Sequence, residues 1–317
     1  MKKILFIILS AAFAVNAFAS YSLDSVSDSA SVAGKYLTLG VGAAAAGMGN
    51  AYTGSAQDAV AMFWNPAGMI NMKTKDTQNS VFLAHNGWLM NSEVDNIAIA
   101  RYFKNIGIFG FGLTYFNSGD MDRYDINAVS GEPIDLGTTF SNYALCTSLS
   151  YANSLDENIN FGIVLKYISD YIDSSAATAF AFDLGLKYNV TPLKGLSLNV
   201  VARNFGGQFG TSVLSKELVF GVDYSFLIAD WGINAEYDAV GKIKNNAVHR
   251  FGLEVKTPYT VVLRTGYYTD DTEIHDGFKN FTFGAGIKIN KLYSLDISLS
   301  PYSTLGFAYQ ASIGADF

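Results

Sequence analysis

GFAYQASIGADF, residues 306–317, places Phe307, Tyr309, Ala311, Ile313, Ala315 and Phe317 on one face of an extended strand. Ala308, Gln310, Ser312, Gly314 and Asp316 take the other face. Successive side chains of a strand point to opposite sides, so the spacing separates an apolar face from a small and polar one. A strand with lipid on one side and a polar interior on the other requires this pattern. A soluble sandwich strand can alternate in the same way, but it seldom finishes on an exposed aromatic.

The alternation recurs upstream. From Asn79 onward about fourteen segments show it, at roughly 80–87, 94–103, 106–117, 140–152, 159–170, 177–190, 195–205, 217–227, 231–239, 247–256, 260–268, 280–290, 293–300 and 306–317. Several have the length that a tilted strand needs to cross a bilayer. Phe109, Phe111, Leu113 and Tyr115 share a face, as do Phe161, Ile163, Leu165 and Tyr167. Phe180, Phe182, Leu184, Leu186 and Tyr188 repeat the pattern, and so do Leu218, Phe220, Val222, Tyr224 and Phe226. Aromatics gather at the segment ends, where interfacial girdles form. Links tend to alternate between short (Lys104-Asn105, Thr191–Lys194, Ile228–Asp230) and long (Gly119–Thr139, Gly206–Lys216, Asp270–Lys279). The expected fold is all-β: a transmembrane antiparallel β-barrel of about fourteen strands spanning residues 79–317, with both barrel termini on the periplasmic side.

Composition agrees. The chain is 50% hydrophobic, with 19 Tyr and 23 Phe against 5 Pro, which favours strands. Met1-Lys2-Lys3, an apolar run from Ile4, and Ala17-Phe18-Ala19 make residues 1–19 a secretory signal peptide, cut near Ala19/Ser20. Beyond it no apolar run reaches the length of a membrane helix, which leaves a closed barrel as the other way to satisfy backbone polar groups in lipid. Removing Lys2 and Lys3 takes the formal charge from −7 to −9. This acidic balance, without basic runs, argues against a nucleic-acid partner. The single Cys146 forms no internal disulfide and is expected to be a small lumen-facing side chain.

With the apolar face outward, the lumen face carries Lys166, Asp183, Lys187, Arg203, Asp223, Glu236, Arg250, Glu254, Arg264, Lys288, Asp296 and Asp316. Two readings stand: a ligand-orienting wall, or a structural network of cross-barrel ion pairs. Arg203 and Arg264 are the candidates for holding a carboxylate. Many glycines share this face, among them Gly110, Gly112, Gly162, Gly185, Gly252, Gly266 and Gly284. They mark either barrel curvature or the close approach of another backbone. Residues 20–78, not spent on the wall, are the candidate occupant, a partly helical hatch in the lumen. No metal-ligand spacing joins His85, His249 and His275, and no nucleophile elbow or dinucleotide fingerprint occurs, so neither an enzyme nor a cofactor or metal protein is expected.

Gly47-Met48-Gly49-Asn50-Ala51-Tyr52-Thr53, Asp58-Ala59 and Trp64-Asn65-Pro66-Ala67-Gly68-Met69 together resemble the N-terminal signature of the PorV/PorQ family. Ala202-Arg203-Asn204-Phe205-Gly206 and Arg264-Thr265-Gly266-Tyr267 resemble its later strands. That family is similar to the FadL-type outer-membrane transporters of hydrophobic compounds, which share the Asn-Pro-Ala-Gly element. The resemblance implies that Asn65, Pro66, Ala67 and Gly68 belong to a hatch whose movement, with a side opening in the wall, passes apolar ligands such as long-chain fatty acids. Met62, Phe63, Trp64, Met69 and Met72 would make its apolar lining, or else simply its packed core. The same family implies an alternative role, a type IX secretion component that binds cargo proteins. Phe317 resembles the C-terminal signal read by the barrel assembly machinery.

Overall fold

The computed structural model describes residues 32–74, 77–127, 130–209, 212–242, 245–269, 280–289 and 292–317. The signal peptide, residues 20–31 and the link 270–279 lie outside the described residues. Fourteen antiparallel strands close into a barrel. They are β1 (Asn79–Gly87), β2 (Glu93–Phe103), β3 (Gly107–Ile126), β4 (Pro133–Ser154), β5 (Ile159–Ile172), β6 (Ser175–Asn189) and β7 (Leu196–Gly206). The remainder are β8 (Glu217–Ile228), β9 (Trp231–Lys242), β10 (Asn245–Lys256), β11 (Val261–Tyr268), β12 (Phe281–Ile289), β13 (Tyr293–Pro301) and β14 (Phe307–Asp316). Each alternating segment of the sequence becomes one strand. Strand β14 pairs back onto β1, Ser312 opposite Ala84, so no barrel edge stays open to lipid.

Strand faces follow the alternation. Phe109, Leu165, Phe180, Leu184 and Ile297 are exposed on the outer wall, while Lys166, Asp183, Lys187, Arg203, Asp223 and Glu236 are buried inside. Outside, aromatic pairs such as Tyr143–Tyr171 (4.8 Å, stacked) and Phe109–Tyr151 (5.0 Å) sit towards opposite rims. Inside, the face is not polar throughout. Ala144, Cys146, Ile168, Ala179 and Ala181 form an apolar stretch of wall packed by Tyr36 and Leu214. Ala reads as neutral in a strand pattern, which is why this stretch was not set apart by sequence.

Two segments run longer than the pattern predicts. Strands β3 and β4 extend past the barrel as a two-stranded ribbon, so most of Gly119–Thr139 is paired strand and not loop. The register slips between Asn117 and Asp120 and again between Asp122 and Tyr124, and Gly119 has φ 72°. These bulges break the period-two alternation that marked the strand. The rim carrying the ribbon also has the 207–216 link, but it has a tight turn at Asp173-Ser174 as well. The opposite rim has only short links, as a periplasmic rim does.

Residues 32–74 fill the lumen. Three short helices, α1 (Ala43–Gly47), α2 (Ala61–Trp64) and α3 (Asn71–Thr74), alternate with 3-10 turns at Lys35–Thr38, Asp58–Val60 and Pro66–Ile70. Their core joins Met62, Trp64, Met69, Ile70 and Met72 to Ala98, Ala100, Ile108 and Ala152 of the wall. At the ribbon rim Ser212–Leu214 pairs with Val32–Ala33 of the lumen segment and with Gln208–Phe209.

Candidate functional site

The hatch is seated on wall glycines. A Cβ on Gly185 would stand 2.2 Å from Asn65 Oδ1, and one on Gly162 would stand 2.6 Å from Pro66 Cβ. A Cβ on Gly266 would lie 2.0 Å from the Gly49 amide nitrogen, and one on Gly112 would lie 2.9 Å from Met62. Of the two readings of these glycines, the packing shows close approach of the hatch, by backbone at Gly162 and Gly266 and by side chains at Gly185 and Gly112. Gly286 differs, because its neighbours are Asp296 and Arg264 of the wall.

The Asn-Pro-Ala-Gly element forms a turn for reasons legible in its residues. Proline disfavours the helical region for the residue before it, and Asn65 is extended at φ −146°, ψ 103°. Pro66 then opens a 3-10 turn, and Asn65 Oδ1 accepts from the Ala67 amide at 3.1 Å. Asn65 Nδ2 donates to Asn199 Oδ1 at 3.3 Å, fastening the turn to β7. Gly68 faces the Ala56 carbonyl, with only 2.2 Å for an added Cβ.

Two cavities flank the hatch. At the short-turn rim a vestibule of about 960 Å³ is lined by Val41, Ala45, Tyr52, Val60 and Phe82, and on the wall side by Lys187, Asp223, Glu254 and Arg264. Towards the ribbon rim lies a pocket of about 20 Å³, room for about one water, lined by Tyr36, Leu37, Phe63, Trp64, Cys146, Lys166 and Arg203. Val41 is the one residue lining both. The Trp64 indole N–H donates to the Val41 carbonyl at 2.9 Å, so this pair forms the partition. Tyr52 meets Trp64 edge-on at 5.9 Å.

The expected lining residues divide. Phe63 and Trp64 line the small pocket. Met62, Met69 and Met72 are buried in the hatch core and line neither cavity; wall glycines take the Met62 and Met69 side chains. The two arginines also divide. Arg264 reaches the vestibule with both sides of its guanidinium occupied, Nε by Glu254 and Nη1 by Asp296, each at 2.7 Å. It is a cross-barrel tie and has little left for a ligand carboxylate. Arg203 lies over the Trp64 ring at 5.4 Å and stands 3.5 Å from Glu217. Its Nε is buried without a hydrogen-bond partner.

Sequence reasoning placed Glu236 no further than the lumen wall and did not single out Asp238. They grip the hatch. Asp238 Oδ2 accepts from the Tyr52 and Thr53 amides at 3.0 and 3.1 Å and from Thr53 Oγ1 at 2.7 Å. Glu236 accepts from the Gly54 and Ser55 amides at 2.5 and 3.0 Å and from the Ser55 hydroxyl. Tyr36, which lines the small pocket, and Leu214, which clusters with it, were also missed. The only available signal was an apolar residue in an otherwise irregular segment.

The wall ladder closes around the barrel among the described residues. Its one slip on the β6–β7 seam, between Phe182 and Leu184, is closed by Asp183, which accepts from the Asn204 amide at 2.7 Å and pairs with Lys166 at 2.6 Å.

A barrel of this strand number with a hatch built from the N-terminal segment has solved counterparts. The toluene transporter TodX of Pseudomonas putida superposes with a TM-score of 0.58 at 12% identity, over 87% of this chain and 96% of that one. The toluene transporter TbuX of Ralstonia pickettii gives 0.58 at 14%, over 88% and 98%. The monoaromatic hydrocarbon channel CymD gives 0.58 at 12%, over 88% and 98%. The chain has the TodX fold. These counterparts are named as transporters and channels, not enzymes. No family profile matches the sequence and no curated protein matches it, so the PorV/PorQ resemblance rests on its motif residues.

Proposed function

We propose that this chain is an outer-membrane channel for hydrophobic small molecules, with long-chain fatty acids as its default ligand, working by displacement of the hatch. The observation that carries the reading is the Trp64–Val41 partition, with a small pocket of mixed aromatic and polar lining on one side and a large vestibule on the other. A ligand that displaces the Trp64 ring joins the two spaces without breaking the wall. The named substrates of the counterparts, toluene and monoaromatic hydrocarbons, belong to the same broad class. Arg203 turns the choice towards an acid: its guanidinium lies beside the Trp64 ring with a buried, unpartnered Nε, a position where a carboxylate would complete its bonding. Export to the outer membrane would follow signal removal near Ala19/Ser20, with Phe317 offered to the assembly machinery.

The test is uptake into liposomes carrying the purified barrel, with toluene and a long-chain fatty acid compared. Trp64→Ala is expected to lower uptake of both. Arg203→Met paired with Glu217→Gln, which removes both charges of that pair together, is expected to lower fatty-acid uptake about tenfold and leave toluene unchanged, the factor one charge-assisted bond supplies. Wild-type protein that carries neither ligand would defeat the channel reading. Equal effects on both ligands would defeat the acid preference alone.

A further inference from the structure

Four consecutive hatch amides, Tyr52 to Ser55, and two hatch hydroxyls all donate to two carboxylates that stand two residues apart on β9. Every one of these bonds runs the same way, from hatch to wall. Successive backbone amides make a concave anion site, and bonds to an ionised acceptor are about twice as strong as neutral ones. A protonated carboxyl group loses acceptor strength and adds a donor that faces donors. The grip therefore depends on charge. It also lies on the route between the cavities, since Tyr52 and Gly54 line the vestibule and Tyr52 packs on Trp64.

We propose that Glu236 and Asp238 are the positioning residues that lock the hatch shut, and that their protonation releases it. The charged groups around them fit a lock that acid can open. Asp223 on β8 stands directly across from Glu236, and Arg250 on β10 stands across from Asp238. Lys187 on β6 reaches the Gly54 carbonyl at 2.5 Å and Asp223 at 3.8 Å. From the hatch side the titratable group is the Tyr52 hydroxyl. Three carboxylates thus face two cations, so a proton taken up by one of the three relieves an excess of negative charge. The Lys187 bond to Gly54 remains after protonation and gives the released loop a tether from which to return.

The proposal rests on the reading that the hatch moves, and its test uses no transported ligand, so the two can fail separately. Amide hydrogen exchange is followed residue by residue in detergent and corrected for the intrinsic rate at each pH. At about pH 7 the amides of residues 52–55 are expected to be protected like those of the barrel strands. At about pH 4, within the ordinary carboxylate range, their protection is expected to fall at least ~10-fold while strand amides keep theirs. In Glu236→Gln/Asp238→Asn the same loss is expected already at about pH 7, with no further change on acidification. Planar-bilayer recordings are expected to show more frequent openings under the same conditions. Loop protection that stays equal to the strands' at both pH values in wild-type protein overturns the proposal, and that result does not depend on the variant folding. A variant with intact strands and an unchanged loop overturns it equally.

Discussion

Gly185 shows how much of this molecule is decided by single side chains. Its absent Cβ leaves room for Asn65 and Pro66, and an alanine there would stand 2.2 Å from Asn65 Oδ1 and 2.8 Å from Pro66 Cδ. Both neighbours belong to a buried turn that cannot yield without leaving its seat. Gly185→Ala is therefore expected to cost about 1–3 kcal/mol, the usual range for overpacking, read as a lowered urea midpoint for barrel unfolding. Gly241→Ala is the matched control. The nearest atom to its Cβ would be the Leu218 carbonyl oxygen at 3.7 Å, an ordinary contact. A change within about 0.5 kcal/mol is expected there. Sequence reading could see that lumen glycines were many, but not which of them carried the hatch, because that depends on the register of irregular chain against the wall. Asn65 and Pro66 were legible because proline constrains its neighbour locally. Glu236 and Asp238 were not, since their partners are backbone amides more than 180 residues away in sequence, and amides leave no mark on composition.

The strands were the legible elements. Two-sided solvation imposes period two, and the pattern survives wherever a strand separates lipid from lumen. Where a strand leaves the membrane the constraint lapses, which is why the β3–β4 ribbon read as a loop. Two predictions separate these regimes. Leu165 on β5 is exposed on the lipid face, between Leu149 of β4 and Phe182 of β6. Leu165→Arg is expected to cost about 2–4 kcal/mol near mid-membrane, measured by reversible unfolding from lipid vesicles. Replacing residues 120–139 by a short Gly-Ser turn is expected to leave the same unfolding midpoint unchanged. Strand β2 ends its pairing with β3 at Asn117, and β5 ends its pairing with β4 at Asn142, so the ribbon is paired with neither neighbouring strand; the Arg123–Asp173 ion pair at 2.7 Å, which ties it to the turn after β5, is exposed and contributes little. A channel that worked through its hatch would keep ligand uptake after this replacement, whereas a chain that served to hold a protein partner on the ribbon would lose that partner.

At the scale of the whole molecule, wall and plug divide the work. The wall satisfies its own backbone through a closed ladder, which does not require the hatch. The hatch in turn satisfies much of the wall's inner charge: its amides meet Glu236 and Asp238, its Gly54 carbonyl meets Lys187, and its Asn50 carbonyl accepts from Arg250 at 3.3 Å. Deleting residues 32–74 should therefore leave a folded barrel and free both the space and the charges. The expected product is a steady conductance in planar bilayers, in place of the rare openings expected of the intact chain. The sign of its selectivity follows from the lining. The buried lumen acids are Asp183, Glu217, Asp223, Glu236, Asp238, Glu254 and Asp296, against the cations Lys166, Lys187, Arg203, Arg250 and Arg264. Most of the cations are held in ion pairs with members of that set, such as Lys166 with Asp183 and Arg264 with Glu254. Glu236 and Asp238 are the acids that lose their donors with the hatch. The open pore is then expected to prefer cations mildly, with a reversal potential of matching sign across a potassium chloride gradient. Adding Glu236→Gln and Asp238→Asn to the deletion is expected to bring that potential close to zero, since those two carboxylates are the excess. A strong anion preference would overturn the assignment of the excess charge, and no conductance from a barrel that still resists heat in detergent would show that the hatch does not hold the lumen closed.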